Sequence, residues 1–180
     1  MDDLYIRKVC EGDTHAFRYF VKAYKDMAFT LAMAVVKDEF VAQEVVQDAF
    51  VKAFKNLGSF HQKSSFKTWF YRIVVNESLL RIKKLNKDIL SFTDEYPEQL
   101  TDETPIVTAK EEEQQYLINE ALQKLPPKES LVLRLFYLQE ESIKEVCEIT
   151  GWSESNTKVL LHRARKNMFG ILTQIMKSAI

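Results

Sequence analysis

The stretch Trp152–Met168 reads WSESNTKVLLHRARKNM. Wound as a helix at about 100° per residue, it sorts into two faces. Thr157, Leu160, Leu161, Ala164 and Met168 share one arc and read as a buried stripe. Ser155, Lys158, Val159, His162 and Lys166 fall on the opposite side, with Arg163 and Arg165 flanking them. No acid follows Glu154 in the stretch. Two readings fit such a helix: a packing helix with a solvated basic face, or a helix that meets nucleic acid.

What precedes the stretch weighs toward the second. Ser142 and Glu145 have the spacing of a capping box at a helix start. Ile143, Val146, Cys147 and Ile149 follow at helical intervals, and Gly151 then breaks the pattern. A new helix is predicted from Ser153 to about Lys177. Further upstream, one helix is expected to begin near Tyr116 and to stop before LPPK, where Pro126 and Pro127 open the next, KESLVLRLFYLQ. Helix, glycine turn and basic helix together read as a helix-turn-helix. The second helix of that motif lies in the major groove with its N-terminal residues near base edges. Ser155 and Asn156 can then bond several edges, Val159 can meet a thymine methyl, and Lys158, His162, Arg163, Arg165 and Lys166 can reach bases or phosphates.

The remainder of the chain is equally helical in character. Gly and Pro number only four each in 180 residues, so breakers are sparse. Phe17, Phe20, Val21, Tyr24, Ala28 and Leu31 recur at helical spacing after a cap at Asp13 or Thr14. Val41, Val45, Ala49, Ala53 and Leu57 form the next stripe, with Phe50 and Phe54 at its edge and Gly58 as the expected C-cap. Glu44, Gln47, Asp48, Lys52 and Lys55 lie on the other face. A loop, SFHQKSS, leads into a third helix, FKTWFYRIVVNESLLRIKKL.

Net charge is −1, but its distribution is uneven. Residues 1–87 carry 15 Lys/Arg against 10 Asp/Glu, residues 88–116 carry one Lys against nine acids, and residues 117–180 carry nine basic against seven acidic side chains. The acidic strip NKDILSFTDEYPEQLTDETPIV holds Pro97 and Pro105 without sustained periodicity, so residues 86–108 read as irregular or extended. A structureless loop of that length is uncommon inside one compact domain, which favours a linker between two. The expectation is an all-α chain of two small helical domains, 1–87 and 116–180, joined by a flexible acidic linker, 88–115.

Residues 142–166, SIKEVCEITGWSESNTKVLLHRARK, resemble the C-terminal helix-turn-helix of sigma factors of the extracytoplasmic-function type, in the sigma-70 family of RNA polymerase subunits. The lead-in LQKLPPKESLVLRLFYLQEES is similar to the same domain. GDTHAF, VVQDAFVKAFKNLGSF and FKTWFYRIVVN resemble the opening and central signatures of the N-terminal domain. The resemblance implies a subunit that binds core RNA polymerase, recognises the −35 and −10 promoter elements and helps to melt the −10 region. It implies a sigma-2-like domain for the core and the −10 element, and a sigma-4-like domain for the −35 element. By the same resemblance, Glu44, Gln47, Asp48 and Lys52 meet the clamp of the polymerase large subunit, although a plain solvated face would show the same polarity. Phe60, His61, Gln62, Lys63, Ser64 and Asn76 match the loop and helix that hold a flipped nontemplate base, and Lys67 and Arg72 stand where phosphates pass. Arg81, Lys83 and Lys84 could add phosphate contacts. Trp69 is either core or close to the melted strand. The resemblance also implies contact with the polymerase flap and an anti-sigma factor as a further partner. The acidic strip either threads toward the RNA exit path or serves as a solubilising tether.

Two departures from the resemblance stand out. FHQKSSF lacks the Arg-Gly that related loops carry, which predicts a differently shaped −10 loop. Leu160 and Leu161 stand where an arginine is expected, which predicts a shifted −35 preference. The competing function is a stand-alone helix-turn-helix regulator, which would have no use for residues 38–76. Catalysis is not expected, since no metal-ligand cluster, Gly-rich phosphate loop or nucleophile motif is visible, and neither a cofactor nor a small-molecule substrate is implied. Cys10 and Cys147 are widely separated and read as free thiols. No apolar run reaches the roughly 20 residues of a membrane span, and MDDLYIRKVC lacks a signal-peptide core, which predicts a cytoplasmic protein.

Overall fold

The structure, a computed structural model, describes residues 1–88 and 111–178. It is all-helical, with no strand among the described residues. The N-terminal body comprises α1 (Asp2–Cys10), α2 (Arg18–Val36), α3 (Glu39–Asn56) and α4 (Phe66–Asp88). Helices α2, α3 and α4 pack on one another around Phe20, Leu31, Val45, Phe50, Phe70 and Val74. Aromatic rings knit this core: Phe50 meets Phe70 at 4.6 Å and Phe20 meets Phe66 at 4.1 Å between centroids. The stripe expected on α3 is present, rotated slightly so that Ala42 is buried and Val41 is half-buried.

Local chemistry sets the helix ends. Asp13 accepts from the Ala16 N–H and opens a short 3-10 turn, Thr14–Phe17, that runs into α2. Asp38 accepts from the Val41 N–H and opens α3. Between them Lys37, at φ 60, closes α2 in the left-handed conformation usually given to glycine. Gly58, the expected C-cap of α3, does not take that role. Asn56 ends the α-helix, Leu57–Ser59 tighten into a 3-10 turn, and Gly58 is not among the positive-φ residues. Helix α1 was not evident as a periodic stripe, yet its charges foretell it: Asp2 and Asp3 occupy its first turn, Arg7 and Lys8 its last, each matching the helix dipole. It is anchored by Asp2, which accepts from the Tyr19 and Tyr24 hydroxyls at 2.8 and 2.6 Å.

The C-terminal body holds α5 (Glu111–Lys124), α6 (Pro127–Leu133), α7 (Ile143–Thr150) and α8 (Glu154–Ser178). Helix α6 continues as a π-helical turn over Arg134–Leu138. Pro127 sits in the first turn of α6, as expected. The capping box of α7 is complete: Ser142 accepts from the Glu145 N–H, and Glu145 accepts from the Ser142 N–H at 2.8 Å. Gly151, at φ 76, then reverses the chain, its N–H bonded to the Cys147 carbonyl at 2.8 Å. Helix α5 starts at Glu111, five residues before the expected domain boundary, and α4 carries through Asp88. The rest of the expected acidic linker, 89–110, lies outside the described residues.

The two bodies touch. α2 packs against α6, and α4 against α7. This explains two stretches with no polar face. Ala28, Leu31, Ala32, Ala34 and Val35 of α2 are all buried, because α3, α4 and α6 cover the helix together. Five consecutive residues of α6, Glu129–Leu133, are buried for the same reason, with α8 and α2 both packed on the helix.

The Ser142–Glu145 box supports a pH test. Bonds from the Ser142 hydroxyl and then its N–H hold the Glu145 carboxyl below the ordinary carboxylate range. A carboxylate with a depressed folded value stabilises above its unfolded value and loses that contribution as pH falls through the folded one. Glu145→Ala is therefore expected to lower stability by about 1 kcal/mol at neutral pH. Urea denaturation should show this deficit shrinking in acid.

Candidate nucleic-acid interface

Helix α8 is presented by its own start. Ser153 accepts from the Asn156 N–H at 3.3 Å, and the Ser153 carbonyl accepts from the Thr157 N–H and hydroxyl, both at 2.9 Å. Thr157, Leu160, Leu161 and Ala164 are buried and Met168 is half-buried, the predicted stripe. Ser155, Asn156, Lys158, Val159, His162 and Lys166 are exposed together on the other side. Val159, at 67% exposure, is an aliphatic side chain that no packing demand accounts for. Leu160 and Leu161 are buried in that stripe, so neither side chain reaches a base itself.

The flanking arginines are tied to the protein. Glu129 is 2% exposed and carries both oxygens inward: Arg163 Nε donates to Oε1 and Asn167 Nδ2 to Oε2, each at 2.8 Å. A buried carboxylate requires such donors, and its place in the first turn of α6 adds a favourable helix dipole. Arg163 itself stays 62% exposed along its side chain, so the pair does not remove it from the exposed surface of α8. Arg165 Nε donates to the Tyr137 hydroxyl at 2.6 Å, and its guanidinium lies 5.4 Å from the Tyr137 ring and 5.9 Å from Phe136. Lys158 pairs with Glu154 one turn back, each group reinforcing the charge of the other. Glu129, Tyr137 and Asn167 escaped the sequence reading; the i, i+4 spacing of Arg163 and Asn167 was their one available signal.

The second cluster surrounds the loop from Phe60 to Ser65 at the start of α4. Phe60 is half-buried against Trp69 (4.9 Å between centroids), and Trp69 meets Phe66 at 5.6 Å, so Trp69 is a packing residue at the rim of the core. His61, Gln62 and Lys63 are exposed and Ser64 is half-buried. Gln62 adopts φ 54, so the left-handed turn that a glycine would make is made here without one. Ser65 accepts from the Thr68 N–H at 3.0 Å at the start of α4. Arg72 and Asn76 follow, both exposed and one turn apart on α4. Lys67 does not stand with them as a free cation: its Nζ lies 2.6 Å from Glu141 Oε1 of the C-terminal body. Lys83 and Lys84 are exposed further along α4.

The third group lies on α3. Glu44 and Asp48 both grip Arg81 of α4, at 2.9 and 3.2 Å, and Lys52 pairs with Glu77. Gln47 is exposed. Arg81 is thus paired with two acids of α3. Beside these ion pairs stand apolar side chains that the polar reading of this face passed over: Phe40 at 79%, Leu80 at 57% and Val51 at 52% exposure.

Comparison with known proteins gives two family matches in order along the chain. Residues 20–87 match Sigma-70 region 2, and residues 116–168 match Sigma-70 region 4. The ECF RNA polymerase sigma factor SigW of Bacillus subtilis is 29% identical over 173 residues, covering 89% of this chain and 91% of that one. RNA polymerase sigma factor YlaC of the same organism is 36% identical over 142 residues, covering 71% and 77%. Among solved structures, the RpoE–NepR complex of Bartonella quintana matches with a TM-score of 0.68 over 87% of this chain and 96% of that one, at 19% identity. The structure of CnrH with the cytosolic domain of CnrY matches with a TM-score of 0.60 over 97% and 96%, also at 19%. At that identity, these two likenesses concern the fold.

Arg163 stays exposed to solvent, so removing the buried Glu129 carboxylate strands no buried charge, and an apolar side chain of similar volume is tolerated in its place. Glu129→Leu replaces the carboxylate with an apolar side chain and frees Arg163 and Asn167. It is expected to lose less stability than Glu129→Ala, which also leaves a cavity, and chemical denaturation of both checks the order.

Proposed function

From the premise that this chain belongs to the sigma-70 family of RNA polymerase sigma factors, and to its extracytoplasmic-function type, we propose how its residues divide the work of promoter recognition. The protein is a promoter-directing initiation factor whose partners are core RNA polymerase and promoter DNA. The observation that carries the residue-level reading is the exposed strip of α8, free of acids after Glu154 and backed by a buried stripe.

Ser155, Asn156 and Val159 read bases of the −35 element, and Lys158, His162, Arg163, Arg165 and Lys166 supply positive charge along the adjacent backbone. The Lys158–Glu154 pair is exposed on both sides and is therefore cheap to exchange for a phosphate. At the −10 element, Phe60 to Ser64 and Asn76 line the receptor for an unstacked base, with Lys63, Lys67 and Arg72 on the phosphates. An amide suits that task because it offers a donor and an acceptor to one base edge. Glu44, Gln47, Asp48 and Lys52 face the polymerase clamp, with Val51 and Leu80 adding apolar area beside them, and the C-terminal body meets the flap. The working division is 1–87 for core and −10, 88–115 as linker, and 116–180 for −35. The matches at 20–87 and 116–168 support those bounds.

The protein has no catalysis of its own; the chemistry of RNA synthesis belongs to the polymerase. No described helix is long and apolar enough to cross a membrane. As a partner of RNA polymerase, the chain works where that enzyme transcribes, in the cytoplasm. Because the RpoE structure contains an anti-sigma factor, an inhibitory protein of that class is the expected further partner. A stand-alone regulator remains distinguishable: it would bind DNA without retaining core polymerase.

Lys158→Ala is expected to weaken −35 binding and to lower the salt-dependence slope by about 1, and His162→Ala to weaken binding, both with unchanged affinity for core. Fluorescence anisotropy across a salt series, beside a core pull-down, checks this; equal loss of core affinity contradicts the assignment. Asn76→Ala is expected to leave recruitment nearly intact and to reduce promoter opening by about tenfold or more, since a lost base-edge contact is worth about 1–3 kcal/mol. Permanganate footprinting of the −10 region reads that loss directly, and a normal footprint would remove Asn76 from the pocket.

A further inference from the structure

The end of α6 departs from an α-helix, and the departure faces α8. Leu131, Leu135 and Leu138 would share one face of an uninterrupted α-helix. Leu131 and Leu135 are fully buried, yet Leu138 is 47% exposed. The π-helical turn over Arg134–Leu138 makes the difference. Its closing bond runs from the Gln139 N–H to the Arg134 carbonyl at 3.0 Å, one residue longer than an α-helical bond. The extra residue turns the side chains that follow by about 100°. Leu138 is thereby turned out of the core, which forfeits apolar burial. The same rotation brings Tyr137 to α8, where its hydroxyl accepts from Arg165 Nε at 2.6 Å.

Phe136 completes the arrangement. Its ring meets the Tyr137 ring edge-on at 5.0 Å between centroids, and the Arg165 guanidinium lies within 6 Å of both, in the corner that they make. Among the described residues the Tyr137 hydroxyl is the hydrogen-bond partner of Arg165, so Nε is engaged and the edge made by Nη1 and Nη2 is left open. Arg165 lies seven residues beyond Lys158 and three beyond His162. That spacing sets the three on one line along α8, about 10 Å from first to last, and all three are exposed.

We propose that Tyr137 is a positioning residue for −35 recognition: it holds Arg165 by Nε, so that the two terminal nitrogens meet two oxygens of one DNA phosphate. This rests on the reading of α8 as the −35 helix and adds the group that fixes the last cation of its line. A solvated arginine samples many rotamers, and a phosphate contact has to freeze them. The hydroxyl and the two rings freeze them beforehand, so binding loses less. The guanidinium is planar, so holding Nε also sets the plane and direction of the opposite edge, as bidentate contact requires. A lysine presents all its donors from one nitrogen and cannot be held on one side while binding with the other. Tyr137 acts through Arg165 and adds no charge of its own.

A double-mutant cycle in holoenzyme tests this, read as anisotropy of a labelled duplex that carries only the −35 motif selected by run-off transcription. Tyr137→Phe removes the hydroxyl and keeps the ring. It is expected to weaken binding about threefold to tenfold, the effect of one hydrogen bond, with core affinity and salt slope unchanged because no cation is lost. Arg165→Ala is expected to weaken binding and to lower the salt slope by about 1. Arg165→Lys keeps the charge without the fork, and is expected to keep the slope while binding more weakly. In the Arg165→Ala background, Tyr137→Phe is expected to cost nothing further. Normal binding by Tyr137→Phe or by Arg165→Lys would overturn the proposal. So would an equal loss from Tyr137→Phe in both backgrounds, which would make Tyr137 a DNA contact or a purely structural residue. In those cases a lowered slope for Lys158→Ala leaves the −35 reading of α8 standing. An unchanged slope for both Lys158→Ala and Arg165→Ala overturns that reading and the proposal with it.

Discussion

The carboxylate of Glu129 needs two donors, and that need orients helix α8. A buried anion is tolerated only where its lone pairs are used. Arg163 and Asn167 supply the bonds from positions four apart on α8. With those two residues turned toward α6, the rotation of α8 follows. Thr157, Leu160, Leu161 and Ala164 go inward, and Ser155, Asn156, Lys158, Val159, His162 and Lys166 go outward. The Gly151 turn and the Ser153 cap fix where α8 starts, so rotation and origin are set by different residues. A base-reading surface requires both, because an error in either moves each side chain to a different base step.

The N-terminal body uses charge differently. Arg81 satisfies Glu44 and Asp48, and Glu77 satisfies Lys52, so the polar face of α3 is organised by α4 before any partner arrives. These are exposed pairs of small energetic weight, roughly 0–1 kcal/mol each. They hold side chains in place more than they stabilise the fold. The core beneath, centred on Phe20, Phe50 and Phe70, supplies the stability. Aromatic packing through Phe60, Phe66 and Trp69 holds the Phe60–Ser65 loop against the start of α4.

Much of this was legible in the sequence because helices advertise one buried stripe. The two faces of α8, the capping box of α7 and the stop at Gly151 follow from spacing and turn chemistry alone. What escaped depends on neighbours. Gly58 had the right residue type for a C-cap, but a 3-10 turn took its place. Ala34 lies off the stripe read for α2, and its burial follows from the cover that α3, α4 and α6 give the helix together. Leu160 and Leu161 were placed inward by their position on the wheel, and both are buried. The Lys67–Glu141 contact joins residues 74 apart, and periodicity carries no information at that separation. The resemblance supplied the functional reading of the −10 cluster; in the structure, Gln62 makes the turn for which a missing glycine had raised doubt.

The central claim is that two separate surfaces of one chain direct core RNA polymerase to a bipartite promoter. Run-off transcription with core enzyme on a library of randomised upstream sequences tests it most directly. The account predicts transcripts only when the chain is added, from templates that share a −35 and a −10 motif at fixed spacing, with substitutions at Val159 changing the −35 motif alone. No initiation above core enzyme by itself, or selection of a single palindromic site, would contradict it.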